Sequence, residues 1–157
     1  MNNSVLELLL NRKGLSVEIN EDVVEHAAEY GHEKTFNTLL RHKPGQVQIN
    51  QAVVAAAARN HIDRNILEEL TRDDKGHITA EVVLAAAGNR IRGRLMISHS
   101  LVDNFPTETK AVITENTLLF AARAGRTNVL DIIQKQFGIA ASPGVRLIAG
   151  GVHRGRP

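Results

Sequence analysis

The stretch of sequence that decides the fold is residues 78–89, Ile-Thr-Ala-Glu-Val-Val-Leu-Ala-Ala-Ala-Gly-Asn. Its pattern is a leading isoleucine, a polar residue that can cap a helix, several apolar residues and a pair of alanines. The same pattern occurs at residues 19–28, 49–58 and 113–122. The leading isoleucine recurs after 30, 29 and 35 residues, a spacing that is typical of helical repeat arrays.

The composition limits the kind of core that the chain can build. Hydrophobic residues make up 43% of the sequence, but aromatic residues only 3%, so the core must consist of Ala, Val, Leu and Ile. The absence of cysteine excludes disulfides and thiolate metal sites. Seven histidines are present, but none forms a His-x-x-x-His pair, so we predict neither a bound metal nor another cofactor.

A half-repeat and four helix-turn-helix repeats are predicted, at residues 3–14, 19–45, 49–76, 78–112 and 113–138. The first helix of each whole repeat begins after a polar residue that can accept a backbone hydrogen bond; these caps are Asn20, Asn50, Thr79 and Thr114. A longer connection, from Asp103 to Val112, accounts for the 35-residue spacing. Residues 139–157 are rich in Gly and Arg and are expected to be a flexible, disordered tail.

Each helix pair carries an apolar stripe that it cannot bury by itself, so it must stack on its neighbours. The alanine pairs allow close approach of the helix backbones; they are Ala27-Ala28, Ala57-Ala58, Ala86-Ala87 and Ala121-Ala122. The predicted fold is therefore an all-α, right-handed solenoid of about four and a half stacked units.

Two segments resemble the ankyrin repeat: residues 27–40, Ala-Ala-Glu-Tyr-Gly-His through Leu-Leu, and residues 121–133, Ala-Ala-Arg-Ala-Gly-Arg through Ile-Ile. In place of the T-P-L-H start of an ankyrin unit stands V-V-x-x-A-A. The whole unit is similar to repeats at the C-terminal end of fungal ankyrin-containing and NACHT-type signalling NTPases, which resemble NLR receptors. The resemblance implies an ankyrin-like recognition or scaffold part. The NTPase motif G-x-x-x-x-G-K-[ST] does not occur in this chain.

Positions near the end of the first helix vary in charge and size between the repeats, while the apolar and alanine positions are kept. In stacked repeats such positions form a ridge along one concave face. We expect this ridge to bind another protein or peptide without catalysis. The candidate residues are Glu25, His26, Glu29, Tyr30, Arg59, Asn60, Leu84, Asn89, Phe120 and Arg123, with Arg90, Arg92 and Arg94 in the turn that follows the third copy.

That arginine turn departs furthest from the repeat pattern. Gly88 and Gly93 can expose backbone N–H groups beside its guanidinium groups, which favours an anion or an acidic peptide; a divergent, solvated turn explains the same residues. Together with the basic tail, the turn gives an alternative function, binding of nucleic acid or another anionic ligand. An enzyme is not predicted, because the acidic clusters fall on predicted exposed faces.

The distribution of charge argues against nucleic acid as the main partner. The chain has 19 basic and 17 acidic residues. Residues 138–157 contain three arginines and no acid, which leaves 16 basic and 17 acidic residues in the other 137. A body that is close to neutral is a poor phosphate-binding surface.

The first predicted helix resembles the second helix of a repeat whose first helix is missing. We therefore expect an open apolar edge beside Leu8 and Leu9, and either a longer array of which this chain is a fragment or self-association through that edge. No apolar run reaches the roughly 18 residues that span a bilayer, and the N-terminus makes a poor secretion signal. A cytoplasmic location without membrane contact is expected, with the nucleus left open.

Overall fold

The computed structural model describes residues 3–12, 19–42, 49–72, 78–89 and 100–154. All regular secondary structure in these ranges is helical. We number the helices α1 (Asn3–Asn11), α2 (Glu21–Tyr30), α3 (Glu33–His42), α4 (Gln51–Arg59), α5 (Asn65–Arg72), α6 (Ala80–Gly88), α7 (Pro106–Val112), α8 (Glu115–Arg123), α9 (Thr127–Phe137) and α10 (Pro143–Arg154). The chain divides into two compact units, Met1–Gly76 and His77–Pro157.

The first unit contains the two predicted helix pairs, α2 with α3 and α4 with α5, and the single helix α1. The first helices pack on each other, α2 against α4, and the second helices do the same, since α3 contacts both α1 and α5. Each first helix also contacts the second helix of its own pair. This unit therefore has a layer of first helices and a layer of second helices.

The second unit is built around α8. This helix contacts α6 on one side and α10 on another, and it pairs with α9; α7 packs on α6. The contact of α10 with α8 repeats the contact of α4 with α2, so α10 is a further first helix. The predicted second helix of the third repeat, residues 95–102, lies mostly outside the described residues.

All four predicted helix caps are confirmed. Each cap side chain accepts a hydrogen bond from the backbone N–H three residues later, at 3.0–3.4 Å. Because this bond satisfies an N–H group that has no partner within the helix, it fixes where each helix starts. The residues concerned are Asn20, Asn50, Thr79 and Thr114.

The alanine pairs lie in the core, as expected. In the second, third and fourth copies both alanines are fully buried, and Ala28 is buried in the first copy as well. Ala27 is the exception, because it is only half-buried. With so few large side chains available, the close contact between helices depends on these methyl groups.

Most of the longer connection from Asp103 to Val112 forms helix α7. Pro106 stands at the start of this helix, where its fixed φ and missing N–H cost nothing. The Thr109 hydroxyl is fully buried and donates to the Leu101 carbonyl at 3.1 Å, which ties α7 to the segment before it. The turn-like composition concealed a short helix.

The expected disordered tail is also wrong for most of its length, because Pro143–Arg154 forms helix α10. Ser142 supplies the helix cap, since its hydroxyl accepts from the Val145 N–H at 3.4 Å, and Pro143 suits the first helical position. Val145 is fully buried, which gives the helix an apolar anchor in the second unit. The glycines at 150 and 151 had suggested disorder, but an anchored helix tolerates them at a cost of about 1 kcal/mol each.

In the part of the chain that the structure describes, no helix has both the length and the apolar character required to cross a bilayer.

Candidate functional site

The residue three positions after each helix cap is buried in every first helix except α2. Val53, Val82, Thr117 and Val145 occupy this position in the later first helices, and at most 1% of each is exposed. Val23 occupies it in α2 and is 38% exposed. Within the first unit the difference has a direct cause. Helix α2 packs on α4, and Asn60, which lies on the same side of α4 as Val53, donates to the Ala28 carbonyl of α2.

The neighbouring positions of α2 follow the same rule. His26 and Tyr30 are exposed and Ala27 is half-buried, whereas the equivalent residues of α4 are fully buried; these are Ala56, Asn60 and Ala57. At about 100° per residue, positions 23, 26, 27 and 30 lie on one side of a helix. We call this surface, made of Val23, His26, Ala27 and Tyr30, the outer face of α2.

Aromatic rings cluster at the C-terminal end of this face. The rings of His26 and Tyr30 are 4.7 Å apart between centroids, and the ring of His61, in the turn after α4, is 6.4 Å from Tyr30 in an edge-on arrangement. All three side chains are exposed. The cluster offers flat π surfaces of the kind that cationic side chains contact.

An ion pair borders the rings. Arg59 Nε donates to Glu29 Oε2 at 3.0 Å, which links α4 to α2. A hydrogen bond from Tyr30 to the Glu29 carboxylate, together with the negative charge of that group, raises the pKa of Tyr30 above its usual value of 10.0, while the Arg59 charge lowers it. Glu29 is thus shared between the phenol and the guanidinium.

The charge of α2 has one sign. Its sequence contains Glu21, Asp22, Glu25 and Glu29 and no lysine or arginine. The first two lie in the first turn, where the helix dipole stabilises them. Glu25 is half-buried and lies one turn before Glu29. An acidic helix with an aromatic end and an uncovered Val-Ala stripe is therefore exposed in the first unit.

Two predicted ridge residues do not belong to any exposed surface. Asn60 is fully buried and Asn89 is 7% exposed. The Asn60 side chain donates to the carbonyls of Ala28 and Gly31 and accepts from the N–H groups of Ile62 and Asp63, so it connects consecutive helix pairs. This position looked variable in the sequence because the first copy has Tyr30 where the next two copies have these asparagines.

The predicted residues of the second unit lie on α6 and α8. Leu84 is half-buried, Phe120 is 45% exposed and Arg123 is exposed. A Cβ atom on Gly88 would lie 3.7 Å from the Phe120 ring, so this ring rests on the glycine. In the first unit, Glu29 occupies the position equivalent to Gly88, and the small Ala56 occupies the position equivalent to Phe120. Arg90, Arg92 and Arg94 lie outside the described residues.

Helix α10 carries the most exposed large apolar side chain of the described residues, Leu147, at 79%. Leu147 lies five positions after the cap. The equivalent residues Glu25, Leu84 and Leu119 are half-buried and Ala55 is fully buried. Leu147 is thus uncovered at a position that every other copy covers. Neither Leu147 nor Val23 stands out in the sequence, because leucine or valine also occupies the same position in other copies, where it is at least half-buried.

Leu8 and Leu9, beside which an open apolar edge is expected, are 69% and 46% exposed on α1. A groove of about 740 Å³ lies in the second unit beside α7 and the end of α9, and Asp103 and Lys110 are its charged residues. Across the described ranges, no three His, Cys, Asp or Glu side chains are placed to hold a metal ion.

Three segments of the chain, residues 8–32, 39–63 and 71–96, match the model of a family described as a domain of unknown function, DUF7104. Each of the first two matches runs from the end of a second helix through the first helix of the next pair. The matches therefore follow the helical repeat and support a repeat protein. Neither a curated protein nor a solved structure matches the chain.

Proposed function

We propose that this chain is a non-catalytic module that binds another protein through the outer face of α2. One observation carries the proposal: Val23 is 38% exposed at a position where the other four copies are at most 1% exposed. The same surface on α4 is covered by a helix. A helix of a partner is therefore the ligand whose shape suits this face.

The chemistry of the face favours a basic partner. Glu25 and Glu29 lie beside it, and Tyr30 and His26 offer ring faces to a guanidinium or ammonium group. Val23 and Ala27 supply the apolar contact that a helix with small side chains would fill. Glu25, His26, Glu29, Tyr30 and Arg59 thus keep the binding role expected for the ridge, with Val23 and Ala27 added to them.

We further propose that the helix pairs stack as a right-handed, ankyrin-like solenoid and that the module is the recognition or scaffold part of a fungal NLR-like or ankyrin-type protein. The support for the first part is the packing of first helices on first helices and of second helices on second helices in the first unit. The support for the second part is the similarity of the repeat sequence alone.

Site-specific photocrosslinking tests the binding function. A benzoylphenylalanine group in place of Tyr30 is expected to attach covalently to a protein in an extract of the cells that make this chain. The same group in place of the exposed Glu115 on α8 serves as the control and is expected to give no such product. Excess unlabelled chain should compete, and excess chain with both substitutions Val23→Lys and Leu147→Glu, which alter the exposed apolar positions of α2 and α10, should not. Equal labelling from both sites, or equal competition by both chains, contradicts the proposal.

A further inference from the structure

We propose that the partner of the outer face of α2 is helix α10 of a second copy of this chain, so that copies associate head to tail. The inference rests on the binding function proposed above and adds the identity of the partner. It brings together the uncovered face of α2 and the uncovered side of α10, which carries Leu147.

Helix α10 has the correct structural type for this position. It packs on α8 in the second unit as α4 packs on α2 in the first. Val145, three residues after the Ser142 cap, is buried in the same way as Val53. The outer face of α2 lacks a covering first helix, and α10 is a first helix with an uncovered side.

The side chains of α10 fit the contact that α2 makes with its neighbours. On α2, the side packed into the first unit carries Val24 and Ala28, which are fully buried. The equivalent residues of α10 are Arg146 and Gly150, and both are exposed. Gly150 permits close approach of two helices, as Ala28 does, and Arg146 is long enough to reach a carboxylate beside the contact.

The second helix next to the outer face offers an apolar contact to Leu147. In a complete pair the fifth position after the cap is covered or half-covered, as the half-buried Leu84 and Leu119 show. On α1, which is a second helix, Leu8 and Leu9 are exposed. A docked α10 would therefore form a helix pair with α1, with α10 as the first helix and α1 as the second. Leu147 would then cover these leucines.

The charges of the two helices are complementary. Helix α2 contains four acidic residues and no lysine or arginine, whereas the described side chains of α10 include Arg146 and no acidic residue. A dimer in which two outer faces of α2 meet would instead bring the acidic residues together. Opposite charge thus favours α10 as the occupant over a second α2.

The two contacting surfaces are different, so the interface is heterologous. Each copy that binds through α2 leaves its own α10 available, and association continues until the chain of copies closes into a ring or remains open. The mean molar mass of the wild-type protein is therefore expected to rise with concentration rather than to stop at that of a dimer, and to fall with added salt because the attraction is partly ionic.

A mixing experiment with two variants tests the inference on the full chain. The substitution Val23→Lys places a charge of the same sign as α10 on the outer face of α2, and Leu147→Glu places a charge of the same sign as α2 on α10. Each variant alone is expected to be monomeric by light scattering after gel filtration. Mixed, they should form a dimer of one copy each, because one intact α2 and one intact α10 remain. The dimer also shows that both variants are folded.

The remaining outcomes overturn the inference. Wild-type protein that stays monomeric at every soluble concentration excludes self-association. If Val23→Lys alone abolishes association and Leu147→Glu leaves it intact, two outer faces of α2 form a symmetric dimer. Mixed variants that stay monomeric exclude a head-to-tail contact. Crosslinking of a different protein at position 30, together with a monomeric wild type, rejects α10 as partner while the proposed binding function stands.

Discussion

The Asn60 side-chain amide donates a 2.7 Å hydrogen bond to the carbonyl oxygen of Ala28, in the preceding helix pair. The same amide group bonds the carbonyl of Gly31, and its oxygen accepts from two N–H groups of its own turn. One buried side chain thus satisfies backbone groups on both sides of the contact between helix pairs. Since Arg59 and Glu29 also pair there, the C-terminal ends of α2 and α4 meet and the two helices run parallel.

The substitution Asn60→Ala is expected to destabilise the protein by about 3 kcal/mol, because it leaves buried backbone donors and acceptors without partners. The exposed Asn65, which donates to Glu33 at 2.9 Å, is the matched control, and Asn65→Ala should cost below about 1 kcal/mol. Urea unfolding followed by the fluorescence of Tyr30, the single tyrosine, reports on the first unit. Similar midpoints for the two variants would show that the bonds of Asn60 contribute little.

The equivalent positions 27 and 57 should respond differently to the same enlargement. Ala57 is fully buried between packed helices, so Ala57→Leu is expected to cost about 1–3 kcal/mol through overpacking. Ala27 lies half-buried on the outer face of α2, and Ala27→Leu should change stability by less than about 0.5 kcal/mol. Urea unfolding of both variants at low protein concentration provides the comparison. An equal loss at the two sites would mean that the outer face is covered in the isolated chain.

Two glycines at helix ends are expected to give effects of opposite sign. Gly88 is helical, and an added methyl group would meet the Phe120 ring at the ordinary contact distance of 3.7 Å, so Gly88→Ala should stabilise by about 0.5 kcal/mol. Gly138 follows α9 in a left-handed conformation with φ of 68°, so Gly138→Ala should destabilise by about 1 kcal/mol. Thermal unfolding followed by circular dichroism measures both. A destabilising Gly88→Ala would place the Phe120 ring closer than the structure has it.

Caps, alanine pairs and helix turns could be predicted from the sequence because each depends on contacts within about ten residues. The cap of Asn20 and the pairing of α2 with α3 follow from such local patterns. Exposure could not be predicted in this way, because it depends on which copy has a neighbour. Val23 and Val53 have the same local sequence position and opposite surroundings.

The C-terminal helix shows a second limit. Its cap, Ser142-Pro143, is a recognisable start signal, but the glycines that follow weakened the helical pattern. The packing of Val145 in the second unit compensates for that weakness, and such a tertiary contact has no signature in a segment of low helix propensity. The predicted binding ridge failed at Asn60 for a related reason. Asn60 and Tyr30 occupy equivalent positions in their repeats, but Asn60 is buried and Tyr30 is exposed.

The titration of Tyr30 tests whether Glu29 interacts with both Tyr30 and Arg59. The folded-state pKa lies above 10.0 because Tyr30 donates to the Glu29 carboxylate. The stability that this bond contributes is therefore fully present below pH 10 and is lost as the pH rises through the folded-state pKa. Absorbance at the phenolate band follows the single tyrosine directly, as the chain has no tryptophan.

Substitutions of Glu29 and Arg59 should shift the pKa of Tyr30 in opposite directions. Glu29→Gln is expected to bring the pKa of Tyr30 back toward 10, since the negative charge is removed. Arg59→Ala should raise the pKa further, since the Arg59 charge lowers it. A pKa that Glu29→Gln leaves unchanged would show that the phenol does not bond the carboxylate in solution.

Two residues of α10 separate the stability of this helix from its proposed role in association. Val145 is fully buried and Leu147 is 79% exposed. Val145→Glu places a charge in an apolar contact and should destabilise the second unit by about 3 kcal/mol, whereas Leu147→Glu should change stability by less than about 0.5 kcal/mol. Urea unfolding followed by circular dichroism gives both values. A neutral Val145→Glu would mean that α10 does not pack on α8. A costly Leu147→Glu would mean that this side chain is buried in solution, and its effect on association would then reflect folding rather than contact.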